Sequence, residues 1–70
     1  MRRKPVQSHA IASIGFDAAT NQLEIEYIGG DVYVYFAVPA SVHQTLMESD
    51  SVGRFVNEHI KPHYAWQDGE

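Results

Sequence analysis

Asp31 to Pro39, which reads Asp-Val-Tyr-Val-Tyr-Phe-Ala-Val-Pro, constrains this chain more than any other stretch. Its β-branched and aromatic residues suit a pleated strand. It closes on a proline, which a sheet interior resists but the first position of a helix accepts. A last strand running straight into a helix is therefore expected. Just ahead, Leu23, Ile25 and Tyr27 alternate with Glu24 and Glu26, the pattern of an antiparallel strand covered on one face. Gly29 and Gly30 then supply the left-handed conformations that a hairpin needs. Strands followed by helices predict an α+β fold. It comprises a three-stranded antiparallel meander near residues 11–16, 22–28 and 31–37, with helices near 39–48 and 52–61 packed on one face.

The first strand sets Ala12, Ile14 and Phe16 against Ser13 and Gly15 on opposite faces, and a turn rich in Asp, Thr and Asn follows. The first helix turns Val42, Leu46 and Met47 inward. Ser51 is placed to cap the second by accepting from the N–H of Arg54, and Val52, Phe55, Val56 and Ile60 form its buried stripe. Pro62 disfavours helical geometry at Lys61 and ends that helix. Residues 1–8 read as a flexible basic arm, 9–64 as a single domain and 65–70 as a tail.

Which face of the third strand is buried depends on the turn. A two-residue turn at Gly29-Gly30 pairs Ile25 with Val34 and buries Val32, Val34 and Phe36. A three-residue turn over Gly29-Gly30-Asp31 pairs Tyr27 with Tyr33 and Ile25 with Tyr35, and buries the tyrosines. Periodicity alone leaves both open.

Seventy residues make one thin-cored domain, of the size that often leans on a disulfide, a metal or a partner subunit. The chain has no cysteine, which excludes disulfides and thiolate metal sites and fits a cytoplasmic location. Three of its five basic residues are Arg2, Arg3 and Lys4, so Arg54 and Lys61 face all nine acids over the remainder. That acidic body disfavours RNA and anionic membrane as partners. The basic start is not followed by an apolar run, so no signal peptide is expected, and no stretch is long and apolar enough to span a bilayer.

Ser8 to Phe16, the central Tyr33-Val34-Tyr35, Val38-Pro39, and Ser51-Val52-Gly53-Arg54-Phe55-Val56-Asn57 through Ile60 to Tyr64 resemble, in order and spacing, the KTSC domain. That family is a short bacterial module, found alone or at the C-terminus of some lysyl-tRNA synthetases, with a Tyr-x-Tyr hallmark. The resemblance covers roughly residues 6–64. It implies little mechanism; RNA binding is suggested only by the synthetase association. The family's usual polar residue between the tyrosines implies that Tyr33 and Tyr35 are structural and face inward. Here that residue is Val34, a departure from the pattern.

No nucleophile elbow, phosphate-binding glycine loop or His-Glu-x-x-His is present, so the chain is read as non-enzymatic and no cofactor is expected. Glu24 and Glu26 share a strand face and read as solvated rather than as a catalytic pair. His59 and His63 have ligand spacing on a helix, but Pro62 interrupts it, and no metal site is expected. With the tyrosines inside, Ile28, Val32, Val34 and Phe36 would form an exposed apolar stripe. That stripe is the candidate face for a protein partner or homodimer. Ser51, Gly53 and Arg54, at the start of the second helix, are the candidate contacts for an anion or RNA phosphate.

Overall fold

The computed structural model describes residues 3–69. Three central strands stand where alternation places them: β2 (Ile11–Asp17), β3 (Gln22–Tyr27) and β4 (Val32–Tyr35). Two short strands extend them, β1 (Arg3–Pro5) against β2 and β5 (Trp66–Asp68) against β4. The result is one antiparallel sheet in the order β1-β2-β3-β4-β5. The meander is thus five strands wide rather than three, and residues 3–5 and 66–68 are strands rather than arm and tail. Met1, Arg2 and Glu70, also assigned to arm and tail, lie outside the described residues.

The hairpin between β3 and β4 resolves the question of face. Leu23 pairs with Tyr35, and Ile25 with Tyr33. The loop is Ile28-Gly29-Gly30, closed by the Tyr27 N–H donating to the Asp31 carbonyl at 2.8 Å, with φ of 106° and 104° at the two glycines. This is a three-residue loop placed one residue earlier than expected, so the pairing slides by two residues. A slide of two keeps every side chain on its face. Tyr35 is accordingly buried with Ile11, Ile14, Leu23 and Ile25, and Tyr33 packs half-buried against them.

Beyond β4 the chain needs a sharp redirection. Ala37 supplies it at φ 58°, and Val38 then donates its N–H to the carbonyl of Asn21, itself at φ 55°. A left-handed alanine costs about 1–2 kcal/mol through its Cβ. Ala37 is exposed and glycine carries no such penalty. Ala37→Gly is therefore expected to stabilise the fold by about 1 kcal/mol, read as a rise of several degrees in melting temperature by circular dichroism.

Helix α1 (Ala40–Met47) follows, with Pro39 just outside it and the Pro39 carbonyl accepting from Val42 and His43. Leu46 is its one fully buried side chain, with Val42 and Met47 beside the core. Helix α2 (Val52–Phe55) opens on Ser51, whose hydroxyl accepts from the Arg54 N–H at 3.3 Å, as its sequence position predicts. It continues without a break as a π-helical turn over Val56–Ile60, where Lys61 N–H reaches the Val56 carbonyl. Val52, Val56 and Ile60 are buried, while Phe55 is only half-buried. Residues four apart overshoot an α-helical turn of ~3.6 residues, so wider winding brings these three closer into one column. Turns at Ile60–Tyr64 then bring β5 back along β4.

Candidate functional site

The face of the sheet away from the helices was expected to be an open apolar stripe, and the structure corrects this. Rows across the sheet explain why. One row runs Arg3, Gly15, Glu24, Val34, Gln67; the next runs Pro5, Ser13, Glu26, Val32. Gly15 has no side chain, so Arg3 crosses it and pairs with Glu24. Ser13 donates to Glu26 at 2.8 Å. The two glutamates are thus half-buried and engaged, not a solvated face. Val32 and Val34 sit beside them, and Gly69 packs on both: a Cβ added there would lie 2.8 Å from Val32 and 3.2 Å from Val34. Val32 is 2% exposed and Val34 9%. Phe36 is half-buried, and of the expected stripe only Ile28, at 60%, stands open. The addition of β5, carrying Gly69 onto β4, removes the stripe.

The residues singled out for an anion have local structural partners. Ser51 is the cap of α2. Gly53 lets the helix approach the β1–β2 connection, since a Cβ there would meet Ser8 Oγ at 3.3 Å and Ala10 at 3.6 Å. Arg54 is exposed and pairs with Glu58 one turn on at 3.2 Å. Together with Ser8, Asp50 and Asn57 they line a shallow cleft, so the three are brought to one surface.

An aromatic edge is the feature that sequence reasoning missed. Opposite Tyr35 in register, Trp66 shares the helix-side face of the sheet and is 52% exposed. Its ring lies 4.5 Å from that of Tyr33, and Tyr33 meets Tyr27 edge-on at 5.3 Å. Lys61 Nζ stands 5.2 Å from the centre of the Tyr27 ring, within cation–π range. Beneath, the Tyr27 and Tyr35 hydroxyls share a hydrogen bond of 2.9 Å. Burial, with Tyr35 adding to it, pushes the Tyr27 phenol well above its ordinary range, and burial also raises Tyr35. Both remain neutral, and the base of the edge is fixed.

The Tyr-x-Tyr motif therefore has divided roles. Tyr35 is core, while Tyr33 joins core to the exposed tryptophan. The profile of the KTSC domain matches residues 7–64. The chain belongs to the KTSC domain family. It is 43% identical over 67 residues to an uncharacterized protein of Stutzerimonas stutzeri, covering 94% of each chain. It is 33% identical over 61 residues to a lysine–tRNA ligase of Nostoc punctiforme, covering 87% of this chain and 11% of the ligase. The crystal structure of a KTSC domain protein from Yersinia pestis superposes with a TM-score of 0.90 at 38% identity, over 96% of this chain and 94% of that one.

On the opposite flank of this KTSC domain, His43 stacks on Phe16 with ring centres 4.7 Å apart and planes 8° from parallel. Burial, and then the nearby Lys4 charge, lower its pKa below the ordinary histidine value of 6.5. The unfolded chain therefore binds more protons at this residue than the folded one. Stability contributed by neutral His43 is present above about pH 6.5 and is lost as the pH falls from there toward the lower folded value. Urea unfolding at stepped pH is expected to show this loss, and His43→Gln to flatten it. Among the described residues, no group of three His, Asp or Glu side chains is placed to hold a metal ion, and no helix is long and apolar enough to cross a membrane.

Proposed function

We propose that this KTSC domain is a non-enzymatic interaction module that makes protein contacts, in the first instance with a second copy of itself, through the aromatic edge at Trp66. The observation that carries this reading is a half-exposed tryptophan resting on a fixed tyrosine. Aromatic side chains of this kind dominate binding energy at interfaces, because they bury large area with little entropy to lose. A chain of this length also gains stability from a partner. The reading moves the contact from the outer sheet face to the edge beside it, because Val32 and Val34 are already covered.

Trp66 is the chain's only tryptophan, so its fluorescence reports the proposed contact directly. Dilution is expected to shift the emission to the red as the indole meets water. Trp66→Ala, at an exposed position, is expected to leave the fold intact and weaken association at least tenfold, the equivalent of about 1.4 kcal/mol. Emission that does not change with concentration would count against the reading.

RNA binding is the second reading, favoured by the likeness to a segment of a lysine–tRNA ligase. Trp66 and Tyr33 offer a stacking surface, Lys61 a nearby cation, and Ser51, Gly53 and Arg54 a place for a phosphate. The acidic body opposes it. Quenching of Trp66 by short RNA at low salt, lost as salt is raised, would favour this reading over self-association.

A further inference from the structure

A cleft of about 400 Å³ opens between α1 and the β1–β2 edge of the sheet, on the flank away from β5. Its apolar lining includes Ile14, Phe16 and Met47, and Lys4, His43 and Glu48 bring the titratable groups. The volume falls within the range of small-molecule sites.

The placement of the polar groups follows from the fold. Lys4 lies opposite Ile14 and so projects to the helix side of the sheet, over the cleft. His43 sits on the first turns of α1 and is held flat against Phe16. Among the described residues, neither the Lys4 ammonium nor the His43 ring has a hydrogen-bond or ion-pair partner. Two nitrogen groups thus line one space, and the Lys4 charge disfavours a charge on the His43 ring. Glu48 is the cleft's carboxylate, and it lies along α1 with Gln44 Nε2 at 3.5 Å.

We propose that this cleft binds a small organic monoanion, a carboxylic acid with a compact apolar body. The carboxylate accepts from the Lys4 ammonium and from the His43 ring, and the body lies against Phe16 and Met47, the partly exposed apolar residues of the lining. An anion between the two nitrogen groups offsets the Lys4 charge at the ring and favours protonation of His43. An ionised acceptor also makes stronger hydrogen bonds than a neutral one. An uncharged ligand of the same shape gains only the apolar contact. The site is on a different flank from Trp66 and does not depend on self-association.

Benzoate is a suitable probe, with benzyl alcohol as its uncharged counterpart and inorganic phosphate as an anion without an apolar body. Titration of the isotope-labelled chain is expected to move amide resonances at residues 14–16 and 43–48 with benzoate. The His43 titration midpoint should rise on binding. Benzyl alcohol and phosphate should each bind at least about tenfold more weakly. Lys4→Gln, on an exposed edge strand, should keep the melting temperature and weaken benzoate by a similar factor. No movement of those resonances at millimolar benzoate would overturn the proposal. So would benzyl alcohol or phosphate binding as well as benzoate, or benzoate affinity unchanged in Lys4→Gln.

Discussion

Leu46→Ala is expected to unfold a large fraction of the protein at 37 °C. Leu46 is the only fully buried side chain of α1 and the main anchor of that helix on the sheet. Removing a buried leucine side chain costs about 2–5 kcal/mol, the upper end applying where the site cannot collapse. Stability scales at roughly 0.05–0.15 kcal/mol per residue, so a chain of this size has only several kcal/mol to lose. The loss is therefore comparable with the whole. Far-ultraviolet circular dichroism during urea titration measures it. A midpoint within the error of the parent's would mean that α1 is not held by this residue.

The second large effect is expected at Gly69, next to the C-terminus. Its backbone N–H donates to the Val32 carbonyl at 2.8 Å, and its missing side chain lets β5 lie against Val32 and Val34. A Cβ at 2.8 Å from Val32 Cγ1 has no room, and Val32 is itself buried and β-branched, hence stiff. Gly69→Val forces either a shifted core or a detached strand. Overpacking of this kind costs about 1–3 kcal/mol. Detachment is the easier outcome, since β5 is only three residues long. The expected signature is faster amide exchange at residues 66–68, a red shift of Trp66 emission, and newly accessible Val32 and Val34. Unchanged exchange would show that β5 is not held by this approach.

The parts of the fold legible in the sequence are those with local signals. Leu23, Ile25 and Tyr27 alternate with glutamates, Gly29-Gly30 punctuates, and Pro39 and Ser51 mark helix starts; these placed three strands and two helices within a residue or two. β1 and β5 carry no such signal. Arg3-Lys4-Pro5 and Trp66-Gln67-Asp68 are short and polar or aromatic without a period, and only pairing to an existing sheet edge makes them strands. The same two strands decide what the outer face looks like, since β1 brings Arg3 to Glu24 and β5 brings Gly69 to Val32. The local pattern from Ile28 to Phe36 therefore implies an exposed apolar stripe that the full sheet does not have. The place of Trp66 is illegible for the same reason: its residue type suits an anchor for the tail, but nothing local sets it beside Tyr33, more than thirty residues earlier. The inward tyrosines were half legible: periodicity left them open, and the resemblance to KTSC domains favoured them.

Self-association through Trp66 is the central functional claim, and molar mass by light scattering across a wide concentration range tests it most directly. The parent chain is expected to approach twice its 7.9 kDa as concentration rises, while Trp66→Ala remains at 7.9 kDa throughout. A parent chain that stays at 7.9 kDa at every concentration would contradict it.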